Sequence, residues 1–193
     1  MQLDCSLLAV QLLANSGIRK LLLHNSLLPE AQHCVGRADH TVRSFEMVAS
    51  MFNTVAGKRI ALFGAAFKAN TNDARESPAL EVCRALLEER ADIVITDPPA
   101  MENARYDLGD LAKRVTFGTD PYAAANGAHA IAVLTEWSQF ALLDYEKIHG
   151  SMVKPAFLFD GRNLLDHRKL YEIGFNVYPI GKPELTHLHR SNL

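Results

Sequence analysis

The chain has 193 residues, 48% of them hydrophobic and 22% charged, enough apolar material for one substantial core and too much for a globally disordered chain. A formal net charge of -2 with neutral histidines lends no support to a nucleic-acid surface, which needs clustered Lys and Arg. No apolar run reaches the length of a membrane-spanning helix. The three cysteines, Cys5, Cys34 and Cys83, are odd in number and widely spaced, which argues against a disulfide scaffold or structural zinc and for a reduced, intracellular protein.

The opening MQLDCSLLAVQLLANS holds an apolar stretch, but Asp4 stands where a secretory signal would be positive and no A-x-A cleavage site follows. It reads instead as an amphipathic or buried helix over residues 6–23. A second helix is predicted over 39–52, where Val42, Phe45, Met47, Val48, Met51 and Phe52 recur at spacings of three and four. Residues 25–36, with Pro29, connect the two. From Gly57 the pattern changes. Residues 58–63 read as an apolar strand, followed by a loop and then a helix with Ser77 as N-cap and Pro78 at its first position. Leu80, Val82, Cys83, Leu86 and Leu87 supply its buried stripe. Strands are predicted over 91–96, 114–117, 129–135, 156–160 and 175–180, and helical pieces over 121–125, 137–142, 144–149 and 166–173. The segment from Glu184 looks frayed. Apolar strands alternating with helices predict an α/β domain over 57–183 whose parallel sheet is covered on both faces. A helical region over 1–56 precedes it and a tail over 184–193 follows.

Ligands of open parallel sheets gather beyond the carboxyl ends of the strands. The segments there are residues 64–76, Asp97-Pro98, Thr135-Glu136-Trp137 and Asp160-Gly161-Arg162-Asn163. The first loop begins GAAFKA, which lacks the GxGxxG spacing of a dinucleotide fingerprint and is not a Walker A sequence. Lys68 offers a mobile point charge and Arg75 a bidentate fork for phosphate. The alternative is that both are surface residues pairing with Asp73 or Glu76. Arg162, released by a close or left-handed turn at Gly161, can reach the cleft or pair with Asp160 or Asp166. Trp137 can stack on a ligand or simply pack. His187-x-His189 offers no metal pattern, and Cys83 reads as core rather than nucleophile.

Three blocks carry a resemblance to a known family: MFNTVAGKRIALFGAAFKANTNDARES at 51–77, DPYAAANGAHAIAVLTEWSQF at 120–140, and KPAFLFDGRNLLD at 154–166. In order and spacing they resemble the C-terminal domain of UDP-glucose 6-dehydrogenases, within the UDP-glucose/GDP-mannose dehydrogenase family. The resemblance implies a Rossmann-like, UDP-binding domain. It also implies a cytoplasmic parent enzyme with an NAD-binding domain, a central helical dimerisation region and this C-terminal domain. Such enzymes oxidise the sugar C6 alcohol to a carboxylate in two hydride transfers with two NAD, through a covalent cysteine intermediate.

Carried onto this sequence, Phe67, Lys68 and Arg162 resemble residues that bind UDP-glucose or UDP-glucuronate. Arg75 resembles the arginine that reaches the NAD phosphates across a domain interface. Where the family usually reads FKKDTGDTR, this chain reads FKANTNDAR at 67–75. Residues 29–55 loosely resemble the end of the helical dimerisation region, so a homodimer, or pairing with an NAD-binding domain, is the implied assembly. Neither the family's GFGGSC-like cysteine segment, its catalytic lysine segment nor a dinucleotide fingerprint occurs in the 193 residues. The chain alone is therefore expected to bind rather than to react. The competing expectations are a noncatalytic assembly module that retains the fold, and a free NAD-binding protein.

Overall fold

A computed structural model describes residues 54–188; the helices expected over 6–23 and 39–52 lie outside these residues. Six strands form one sheet: β1 (Arg59–Phe63), β2 (Asp92–Thr96), β3 (Val115–Phe117), β4 (Ala130–Val133), β5 (Phe157–Asp160) and β6 (Asn176–Pro179). Their order is β3-β2-β1-β4-β5-β6, and all five pairings are parallel. The fold is the expected α/β, Rossmann-like one. Helices α1 (Pro78–Glu88), α2 (Met101–Leu108), α3 (Pro121–Ala125), α4 (Ser138–Ala141), α5 (Tyr145–Ser151) and α6 (His167–Ile173) flank the sheet. Among the described residues, no helix is long and apolar enough to cross a membrane.

Strand alternation assigns the two halves of the core. On one face, Ile60 and Leu62 of β1 pack with Leu80, Cys83 and Leu87 of α1. On the other, Ala61 and Phe63 pack with Ala124, Phe140 and Ile148. β1 and β4 are buried on both faces, as central parallel strands must be. Each fully buried Leu or Phe contributes about 2 kcal/mol of transfer free energy.

Local chemistry fixes the helix starts. Ser77 Oγ accepts from Ala79 N at 3.3 Å, with Pro78 behind it. The Asp120, Asp144 and Asp166 carboxylates cap α3, α5 and α6 by accepting from Tyr122 N, Lys147 N and Lys169 N. These bonds satisfy amides that have no partner within the first turn.

Two segments depart from the sequence reading. Residues 101–108 form a helix, continued by a 3₁₀ turn at Gly109–Arg114, where no helix is predicted. It buries only Ala104 and Leu108, so it carries almost no apolar stripe to read. The segment from Glu184, expected to fray, is tied to the sheet as far as Leu188. Leu185 bridges Val177 in antiparallel fashion, and the buried Asn176 Oδ1 accepts from Thr186 Oγ1 and His187 N, both at 2.9 Å.

Candidate functional site

The strand order reverses between β1 and β4, so the crevice opens where Gly64 follows β1 and Thr135 follows β4. Gly64 has φ +100°, and a Cβ there would stand 2.4 Å from Thr135 Cβ. No side chain fits, and the two strand ends touch directly. Thr135 Oγ1 then donates to Ala66 O at 2.7 Å. Gly161 serves a close approach rather than a left-handed turn: a Cβ there would lie 3.1 Å from Val133 O.

Asp97, immediately after β2 and fully buried, reaches under the turn after β1. Its Oδ2 accepts from Ala65 N at 2.7 Å, Ala66 N at 2.8 Å and Trp137 Nε1 at 3.1 Å. One carboxylate oxygen therefore fastens the segments after β1, β2 and β4 together. Charge-assisted bonds of this kind are the stronger class. The sequence reading leaves Trp137 open between stacking and packing; here its ring lies against the apolar core while its N–H is spent on Asp97.

Arg162 closes the other side of the crevice. Its Nε donates to Leu134 O at 2.8 Å and its Nη2 to Phe67 O at 2.9 Å. Two of the five guanidinium N–H groups are thus spent on main-chain carbonyls. The remaining N–H groups have no partner among the described residues. Glu136 Oε2 lies 3.1 Å from Arg162 Nε, but the single Nε hydrogen points at Leu134 O, so charge alone holds this pair. Glu136 Oε1 accepts a long bond, 3.4 Å, from Ala69 N. Arg162 therefore pairs with Glu136, not with Asp160 or Asp166. Asp160 takes instead the Arg162 and Leu165 amides and His167 Nε2.

The structure thus brings Phe67 and Arg162 together, with the exposed Lys68 next along the chain. The Phe67 ring is itself about half exposed, 48%. Arg75 is elsewhere on the loop. It folds back on Asp73, with Nε 2.9 Å from Oδ1 and Nη2 2.8 Å from Oδ2. This fork holds the Asp73 carboxyl down at about 2 and raises the Arg75 guanidinium further. The pairing is the surface alternative foreseen for Arg75. Cys83 is buried on α1, and desolvation pushes its thiol up to about 12. Asp97 and Glu136 have no individual signature in the sequence. Only their positions just past predicted strands mark them.

An open parallel sheet with a polar crevice at its reversal point is a nucleotide-binding architecture. A sequence model described as the UDP-glucose/GDP-mannose dehydrogenase family, UDP binding domain, matches residues 61–167, and the chain belongs to that family. UDP-glucose 6-dehydrogenase 5 of Oryza sativa subsp. japonica is 48% identical over 155 residues, covering 71% of this chain and 32% of the relative. UDP-glucose 6-dehydrogenase 1 of Arabidopsis thaliana is 46% identical over 156 residues, with the same coverage of 71% and 32%. Among solved structures, a UDP-glucose dehydrogenase from the archaeon Pyrobaculum islandicum superposes with a TM-score of 0.59 at 30% identity, over 76% of this chain and 32% of that one. The chain spans about a third of the length of the curated relatives it matches.

Proposed function

We propose that this chain is the UDP-glucose- or UDP-glucuronate-binding domain of a UDP-glucose 6-dehydrogenase. One observation carries the reading. Arg162, with N–H groups to spare, is joined to the main chain of Phe67 at the β1/β4 crevice, beside the exposed Lys68. A diphosphate needs such a fork and a mobile ammonium, and the half-exposed Phe67 ring offers an apolar face. The domain orients the nucleotide sugar and breaks no bond itself. Arg75 is assigned to NAD held by another domain of the complete enzyme, which requires it to exchange Asp73 for a phosphate. The oxidation with two NAD belongs to that complete enzyme, in the cytoplasm.

NAD does not fit the described residues in the usual way. The dinucleotide glycines are missing, and the turn amides that would meet its pyrophosphate are bonded to Asp97.

A second reading is a noncatalytic interaction or assembly module that keeps the fold, whether as a homodimer or with another domain. The pairing of Arg75 with Asp73 and of Arg162 with Glu136 favours it, since a surface without anionic ligands satisfies its cations this way. Calorimetric titration of the purified chain with UDP-glucose, UDP, NAD and ADP separates the two. Saturable binding of UDP-glucose and UDP, with little response to NAD or ADP, is the expected result. A folded sample that binds neither uridine ligand overturns the binding reading in favour of assembly.

A further inference from the structure

We propose that Asp97 is the resident anion of the turn after β1, and that it determines specificity by closing this sheet to a dinucleotide. In other parallel sheets the turn after the first strand is a phosphate site. There, the amides after the first strand receive a pyrophosphate, and an acidic residue at the end of the second strand receives the ribose hydroxyls. Here the same two positions exist. Ala65 and Ala66 supply the turn amides, and Asp97 is the acid directly after β2. Instead of both facing a ligand, they are bonded to each other at 2.7 and 2.8 Å. The phosphate donors are spent on one oxygen of the ribose acceptor, Oδ2, while Oδ1 is buried with no partner among the described residues.

Two further observations show a built arrangement. Trp137 donates to the same oxygen from the β4 side at 3.1 Å, so the carboxylate is gripped from two strand ends, and it is fully buried. In addition, α1 begins only at Pro78, fourteen positions after Gly64. No helix N-terminus therefore stands directly behind the turn to attract phosphate, as it does in the dinucleotide folds. Arg162, held to Leu134 O after β4 and to Phe67 O, keeps spare N–H groups on the side away from β2, and the exposed Lys68 is next along the chain from Phe67. A nucleotide diphosphate is thus steered toward the β4 and β5 ends. This deepens the proposed function by explaining why a sheet of dinucleotide-binding order is read by a uridine ligand.

Trp137 is the chain's only tryptophan and is bonded directly to Asp97, so its emission reports on the turn. In the unaltered protein, NAD and ADP are expected to leave Trp137 emission unchanged at millimolar concentrations. A saturable change with NAD overturns the closure. In Asp97→Ala, the midpoint of thermal unfolding is expected to fall by about 10 °C, because buried N–H donors lose their acceptor. Formate, which supplies the missing carboxylate, should restore at least half of that loss in a concentration-dependent way, while chloride at equal ionic strength does not. A folded Asp97→Ala variant indifferent to formate overturns the resident-anion role. Should Asp97→Ala not fold, Asp97→Asn tests the same point: it should shift Trp137 emission and lower the unfolding midpoint. Unchanged emission and midpoint in Asp97→Asn count against the proposal. Titration of the unaltered chain with UDP-glucose decides the proposed function independently of these results.

Discussion

At the scale of single residues, the crevice depends on atoms that leave no room for alternatives. Gly64→Ala places a Cβ 2.4 Å from Thr135 Cβ at a backbone φ of +100°. Overpacking and left-handed strain act together, and the substitution is expected to cost about 3 kcal/mol, read from the urea midpoint of unfolding. A loss below 1 kcal/mol would show that the strand ends can part cheaply. Arg162→Lys keeps the charge but cannot serve Leu134 O and Phe67 O with a rigid fork. Under the proposed function, UDP affinity should fall roughly tenfold in calorimetry with the fold retained; unchanged affinity would remove Arg162 from the site. The residues that carry the resemblance are legible because they stand in a fixed order. Asp97 is not, because a carboxylate after a strand reads the same whether it faces a ligand or bends under a turn. Only the distances to Ala65 N and Ala66 N decide it.

At the scale of elements, the loop between β1 and α1 and the short helix α4 can each be tested alone. The Asp73–Arg75 fork lowers the Asp73 carboxyl from the ordinary 3.8 to about 2. The contribution is present above the unfolded value of 3.8 and is lost as pH falls through about 2. The pair is exposed, so little stability rides on it. Carbon NMR of the Asp73 carboxyl should give a midpoint near 2, returning toward 3.8 in Arg75→Ala; an unmoved midpoint would show that the fork does not hold in solution. In α4, Phe140 is fully buried and stacks on Phe63 at 5.2 Å between centroids. Phe140→Ala should cost about 4 kcal/mol, since this ring anchors the segment that follows Trp137. The strands and most helices were readable because apolar runs, caps and prolines agree on them. The helix at Met101–Leu108 was not, because it buries only Ala104 and Leu108, against the core cluster that holds α1, and so carries almost no apolar stripe. The anchoring of residues 185–187 was hidden as well, since it rests on a main-chain bridge from Leu185 to Val177 and on one buried asparagine in β6.

At the scale of the whole molecule, a domain proposed to orient a nucleotide sugar can be asked whether it also performs redox chemistry. The covalent route from alcohol to acid needs a thiolate that can reach the sugar. Among the described residues the one cysteine is Cys83, on the core face of α1, and burial pushes its thiol up to about 12. The unfolded thiol ionises near 9.0, so the buried thiol's contribution is complete below that pH and fades as pH rises toward 12. At neutral pH Cys83 is therefore a protonated core group, buried among Ile60, Leu62, Leu80 and Leu87 and out of reach of a ligand. The crevice residues supply the complementary half of the argument: Arg162, Glu136 and Lys68 can hold charge, but Asp97 keeps the turn amides from a dinucleotide. The chain mixed with UDP-glucose and NAD is expected to form no NADH above the rate without sugar, while still binding the sugar nucleotide. NADH formation proportional to chain concentration, and abolished by Cys5→Ser or Cys34→Ser, would place a working nucleophile outside the described residues and overturn the view of the chain as a binding domain alone.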